Sequence, residues 1–320
     1  MRRLPLVWGI LMRLGGARTI PSKVPITPVI ALLMGFSACA TPMPAPPLPA
    51  AISPPPAALH LDPFYAKYLD AEGIPITTSA RTPDAALLAA RDIVVTMTSQ
   101  RPDLRRALIG MGERVGVMAA DEFTTDLPEQ RDWKKPALDD RRLTGCDKEA
   151  YRKIAAMSDR DYWNSRARGM GGIYTTGATE NLLGYPGSVY YGENILVHEF
   201  GHVMLTAIAR ADPRLHARVE AAYAHAKAAG LWSGSYIMTN VDEYWAEGAQ
   251  FWFDSNMAYK RLPSLVVVNH EDLERYDRPL WDALAQVFPA SHHIASDVYC
   301  MSPARMASIP VPEDGREVCT

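Results

Sequence analysis

The chain has 320 residues, enough for one large domain or two small ones. Its hydrophobic content of 48% and charged content of 22% are those of a globular protein. A formal net charge of −3 with no long basic run excludes the footprint of nucleic-acid binding and gives no electrostatic case for a membrane surface.

The N-terminus departs from that average. Arg2, Arg3, Arg13, Arg18 and Lys23 precede the apolar run "PVIALLMGFSACA", and acidic residues are absent from the first 40 positions. Basic start, apolar centre and small residues at the cut make a secretory leader over 1–39. "FSAC" ending at Cys39 has the form of a lipobox, with Cys39 as the lipidated residue and membrane anchor. Ala38-Cys39-Ala40 also fits ordinary signal cleavage and secretion; the lipoprotein route is favoured, plain secretion is second and a retained membrane anchor third. Each route means export, to the periplasm or the cell surface for a lipoprotein. The stretch "TPMPAPPLPAAISPPP" is nearly uncharged and favours extended polyproline, so 40–60 is expected to be a linker and 61–320 the folded domain. In an exported chain disulfides are permitted. Cys300 and Cys319 close a short loop and are the favoured pair, with Cys146 left over.

In the folded part, "TPDAALLAARDIVVTMTSQ" predicts a helix over 82–100 capped by Thr82, and "RPDLRRALIGMG" a short helix after it. "RVGVMA" alternates between turn residues and predicts a strand over 114–119. Residues 121–146 are polar and loop-like. A β-prone centre over 173–176, flanked by glycines, predicts an edge strand or hairpin. Helices then dominate: 190–210, apolar nearly all round; 213–229, ending at Gly230; 240–254, rich in aromatics; and 270–287. Strands first and buried helices later make one α+β domain.

The helix over 190–210 carries "HEFGH", the pattern His-Glu-x-x-His at His198, Glu199 and His202. Side chains at i and i+4 share a helix face, so both imidazoles can reach one Zn²⁺. Glu199 then stands where it can take a proton from the attacking water and pass it to the leaving group. Two histidines and a glutamate in an apolar helix need partners, and a metal supplies them. The chemistry indicated is zinc-dependent hydrolysis of a peptide or protein substrate.

A third ligand must come from elsewhere. In HExxHxxGxxH proteins it would fall at Ile208, with the glycine at Leu205, so that class is excluded. The aspartate-bearing GTxDxxYG is absent. In "YIMTNVDEYWAE", Glu243 and Glu247 are again four apart on an apolar helix. One carboxylate can bind zinc while the other hydrogen-bonds a ligand histidine. An Asn240–Glu243 capping box accounts for Glu243 alone and leaves Glu247 among aromatics unexplained.

"HEFGH" followed by "YIMTNVDEYWAE" resembles the catalytic domain of anthrax-lethal-factor-like metallopeptidases, within the gluzincin group, over about 190–253. The resemblance implies a zincin-like fold, a small N-terminal sheet with an edge strand beside buried active-site helices. It implies Glu243 as the third zinc ligand, Glu247 as a supporting residue and Tyr236, seven residues before Glu243, as a hydrogen-bond donor to the developing oxyanion.

His216 and His225 lie among Ala, Arg and Lys on a solvated helix face, and His292 and His293 are adjacent, so none is assigned a function. "RGMGGIYTT" is either the strand that pairs with an extended substrate or a simple turn at Gly171 and Gly172. Glu180 and Asn181 remain open as cleft residues. Two rival functions stand beside the peptidase: a non-catalytic zinc-binding envelope lipoprotein, and a zinc amidase acting on cell-wall peptides. A closed four-ligand site would mark the former, for which Glu199 has no use.

Overall fold

A computed structural model of the chain describes residues 51–140, 148, 151–262 and 265–300. They belong to one unit, Ser37–Thr320; the other, Met1–Phe36, lies outside the described residues. So do Cys39, most of the linker, Cys146 and Cys319. Cys300 is disulfide-bonded. Within the proline-rich stretch, Ser53 exchanges both backbone hydrogen bonds with Tyr68, at 3.1 and 2.7 Å.

The first strands come earlier than the sequence signals. β1 (Lys67–Ala71) and β2 (Ile74–Thr78) form an antiparallel hairpin. Its turn is Glu72–Gly73, both at positive φ (54° and 98°), the conformation that matches strand twist across a two-residue loop. Pro75 within so short a strand hides the signal. α1 (Asp84–Thr98) and α2 (Pro102–Met111) cross over to β3 (Arg114–Met118), parallel to β2. Thr82 does not cap α1. Pro83 holds that position, while Thr82 is buried and its hydroxyl donates to the Val117 carbonyl at 3.2 Å. A carbonyl of the interior strand β3 outcompetes the helix end for that hydroxyl.

A 3-10 turn (Thr124–Asp126), α3 (Tyr151–Ala156) and α4 (Asp159–Arg166) lead to β4 (Tyr174–Ala178), parallel to β3. The sheet order is β1-β2-β3-β4. β4 is an edge strand, as expected, but part of its free side is taken by Met170, which exchanges hydrogen bonds with Thr176 at 3.3 and 2.9 Å.

α5 (Thr179–Leu182) precedes the long α6 (Ile195–Ala211), and α7 (Pro213–Ala229) follows. α6 starts five residues later than the apolar pattern implies. Asn194 caps it by accepting from the Val197 N–H at 3.3 Å. Asn181 braces the turns before it, accepting from the Ile195 N–H and donating to the Tyr190 and Glu193 carbonyls. It is 1% exposed, so it holds the helix start and does not line a cleft. Asp212 ends α6 and caps α7.

α8 (Val241–Trp252) packs on α6 at close range. A Cβ on Gly201 would stand 3.2 Å from Ala246 Cα, so the glycine inside HEFGH admits the second helix. β5 (Tyr259–Leu262) and β6 (Leu265–Val267) make a small hairpin. The helix expected over 270–287 is two, α9 (His270–Tyr276) and α10 (Arg278–Leu284). Asp277 breaks it. The carboxylate is fully buried, caps Leu280 and accepts from Trp232 Nε1 (2.8 Å) and the Tyr244 hydroxyl (2.7 Å). The fold is α+β: a small mixed sheet whose one face is covered by helices that share a single large core.

Candidate metal centre

Three elements converge on one point. α6 carries His198 and His202 on one face, one turn apart. α8 brings Glu243 from its first turn. The 3-10 turn Tyr236–Met238 brings Tyr236. His198 Nε2 is 3.1 Å from His202 Nε2 and 3.1 Å from Glu243 Oε2. His202 Nε2 is 3.5 Å from the same carboxylate oxygen. Donors about 2.0–2.1 Å from a tetrahedral ion stand ~3.3 Å apart, so this triangle has the size of one face of such a site. Among the described residues no other group of His, Cys, Asp or Glu gathers three donor atoms within 4.8 Å of one another. The residues therefore suit a metal ion in number, donor type and spacing.

The Asn240–Glu243 capping box is only half formed. Asn240 Oδ1 accepts from the Glu243 N–H at 2.9 Å, but the Glu243 carboxylate turns to His198 and Tyr236 instead of back to Asn240. Tyr236 O–H donates to Glu243 Oε1 at 2.9 Å. The residue is 51% exposed, so it borders solvent as well as the ligand set.

Glu247 does not make the hydrogen bond expected of it. Its Oε1 is 3.8 Å from His198 Nδ1, and its Oε2 accepts from Asn256 Nδ2 at 2.6 Å. His198 Nδ1 instead meets Gln250 Oε1 at 3.0 Å. Gln250 was invisible to spacing arguments, since it is neither charged nor a metal ligand. A polar residue between Ala249 and Phe251 on an apolar helix is the one sequence signal it offers, and in the fold that amide is fully buried.

Glu199 lies under the segment 168–172, near both imidazoles, and the Gly171 backbone N–H meets its carboxylate. That segment lies directly on α6. A Cβ on Gly169 would stand 2.6 Å from Ile195 Cγ2 and 3.1 Å from Glu199 Cγ. One on Gly171 would stand 2.8 Å from His202 Cβ. Gly172, at φ 131°, makes the turn into β4. The glycines thus allow close packing on α6 at Gly169 and Gly171 and a turn at Gly172. Arg168 anchors the segment, with Nε 2.7 Å and Nη2 3.0 Å from the two oxygens of Glu180. Glu180 is thus a structural partner of Arg168.

Charge in the site favours a cation. Burial disfavours a charged His198, yet the Glu243 hydrogen bond and the carboxylates of Glu199 and Glu247 push it up to about 10. Burial likewise opposes ionisation of Glu243, but hydrogen bonds from His198 and His202 hold it well below the usual carboxylate range. Burial raises Glu199, against the pull of both imidazoles and of the Gly171 backbone. Desolvation first, then Glu243, keep the Tyr236 hydroxyl protonated far beyond its ordinary range.

The remaining histidines stay apart from this centre. His216 pairs with Glu220 at 3.7 Å on α7, and His225 is exposed there. His292 stacks on His270, and His293 Nδ1 is 3.8 Å from Cys300 Sγ.

No family model and no curated protein matches the chain. Among solved structures, it is similar to the Pro-Pro endopeptidase (PPEP-2) from Paenibacillus alvei, at 13% identity and a TM-score of 0.39, over 63% of this chain and 91% of that one. A likeness of that degree does not establish a family.

Proposed function

We propose that the protein is an exported zinc-dependent peptidase of gluzincin type, with a zincin-like fold. The observation that carries the reading is the triangle of His198, His202 and Glu243 donor atoms with sides of 3.1, 3.1 and 3.5 Å. His198, His202 and Glu243 would hold the ion. A bound zinc supplies Lewis acidity, polarising the scissile carbonyl and making water a nucleophile near neutral pH.

The chain's own groups supply the rest. Glu199, half-buried and raised in pKa, accepts the proton of the attacking water and delivers it to the leaving amine. Tyr236 keeps its proton and leaves Glu243 to donate to the oxygen of the tetrahedral intermediate. Glu247 adds negative charge near His198 without a direct hydrogen bond. The segment 168–172 offers the substrate a backbone edge. Met170 spends its N–H and C=O on Thr176, so the polar groups of Gly169 and Gly171 face the other way, where the Gly171 N–H meets the Glu199 carboxylate and a substrate would have to displace it. An extended peptide would add there as a further strand. Glycine at both positions keeps that strand close to Glu199 and His202.

Export is proposed on the leader-like sequence before residue 40 alone, with Cys39 as lipid anchor. Among the described residues no helix is long and apolar enough to cross a membrane.

The test is Glu199→Gln in the full chain, assayed on a mixture of unstructured peptides. The variant is expected to keep its zinc and lose hydrolysis by ~10²–10⁴-fold. Undiminished hydrolysis in that variant would contradict the mechanism.

A further inference from the structure

The carboxamide of Gln250 lies fully buried between the start of α6 and the ring of His198. Its Nε2 donates to the Asn194 carbonyl at 3.0 Å. A carbonyl oxygen only accepts, so the amide cannot be turned around without setting oxygen against oxygen. Oε1 therefore faces His198 Nδ1, at 3.0 Å, and an amide oxygen also only accepts. The proton must then sit on Nδ1. In a neutral imidazole that leaves the lone pair on Nε2, the atom that meets Glu243 and His202.

The anchor at the other end is itself immobilised. The Asn194 carbonyl also accepts from the His198 backbone N–H at 3.3 Å. Main chain and ring of His198 are thus tied to the same oxygen, one directly and one through Gln250. The Asn194 N–H bonds the Ser255 carbonyl at 2.9 Å, and its side chain donates to Asp297 Oδ1 at 2.9 Å. Glu247 cannot take this role, being 3.8 Å from Nδ1 and committed to Asn256.

We infer that Gln250 is a positioning residue that fixes the tautomer and aim of His198, and thereby sets the affinity of the site for its metal. The inference rests on the metal reading of His198, His202 and Glu243, and it does not require that the bound ion cleave peptides. A neutral amide does this without adding a further negative charge beside Glu199, Glu243 and Glu247.

The experiment uses the full chain and zinc itself. Zinc affinity is measured by competition with a chromophoric chelator for wild type, Gln250→Met, Gln250→Glu and Glu247→Gln. Met keeps length and burial but offers Nδ1 no oxygen. Gln250→Met is expected to weaken zinc binding ~10–100-fold, the usual cost of losing a partner behind a ligand histidine. Gln250→Glu keeps an acceptor for Nδ1 but sets an oxygen against the Asn194 carbonyl, so it should bind more weakly than wild type and more tightly than Gln250→Met. Glu247→Gln should change affinity less than Gln250→Met. Equal zinc affinity in wild type and folded Gln250→Met overturns the inference and leaves the peptidase reading intact. Should Gln250→Met not fold, two-bond proton–nitrogen spectra of zinc-loaded wild type decide. His198 protonated on Nδ1 and metal-bound through Nε2 supports the inference, and the reverse overturns it. A wild type that binds no zinc overturns the site reading and this inference with it.

Discussion

Two histidine pairs in this molecule each lie beside a carboxylate, and they do opposite things. His198 and His202 stand edge to face, 4.8 Å between centroids and 82° between planes. Their Nε2 atoms converge, and Glu243 completes the triangle. His270 and His292 lie flat on each other, 3.8 Å apart and 5° from parallel. Their Nδ1 atoms diverge, one to Asp254 at 2.8 Å and one to the Trp252 carbonyl at 3.1 Å. The second pair is packing; the first is a donor set. What separates them is the direction of the lone pairs, which a helix spacing of four enforces and a contact between distant segments does not.

The comparison breaks most sharply at the ligands. His202→Ala should weaken zinc binding by more than the ~10–100-fold that a lost outer partner costs. His270→Ala should leave zinc affinity unchanged while lowering the thermal midpoint. If both variants lost zinc equally, the loss would reflect unfolding and the distinction between the pairs would fail.

The next effect lies above the first pair. Gly171→Ala places a methyl 2.8 Å from His202 Cβ, so segment or ring must shift. Misplacement of a catalytic group by about 1 Å costs on the order of 100-fold in rate. Steady-state kinetics of the variant should show that loss in kcat/KM with zinc retained. Unchanged kinetics would remove segment 168–172 from the site.

Away from both pairs, Glu113 is 2% exposed, and burial raises its carboxyl to about 9, only partly offset by Thr175. A raised folded-state pKa gives stability that is full below the unfolded value of 4.5 and lost as pH rises through about 9. Glu113→Gln should therefore raise the thermal midpoint at pH 8 and flatten its dependence on pH. A midpoint below wild type at pH 8 would mean the carboxylate is ionised and stabilising in place.

The smallest effect is in the stacked pair. Burial first, then the charge of His270, lower the pKa of His292, so its neutral form contributes stability that is full above about pH 6.5 and lost as pH falls. His270 works in the other sense. Burial opposes its charge, but Asp254 outweighs burial and raises its pKa, so its contribution is full at acid pH. His292→Phe keeps the stack and removes the opposing group. Its midpoint should fall less than that of wild type between pH 7 and 5, by roughly 2–4 °C. Identical slopes would show that the stack does not sense protons.

The difference between the two pairs also marks what sequence can carry. His198, Glu199 and His202 were legible because the helix period sets them on one turn; Glu243, 45 residues from His198, and Tyr236 were singled out through the family resemblance. Gln250 was not, because its role depends on the Asn194 carbonyl, 56 residues away. The β1–β2 hairpin escaped notice behind Pro75 and a Glu-Gly turn. Thr82 and Asp277 were misjudged for one reason: each spends its polar group on a tertiary partner, Val117 in one case, Trp232 and Tyr244 in the other. Local pattern finds helices and their faces; it does not show which buried polar group a distant segment will claim.

The most direct test of the central claim is the zinc content of the purified full chain beside Glu243→Ala, after dialysis against metal-free buffer. One zinc per wild-type chain, lost in a folded Glu243→Ala, is the expected result. A folded wild type without zinc, or a Glu243→Ala variant that holds as much as wild type, would contradict it.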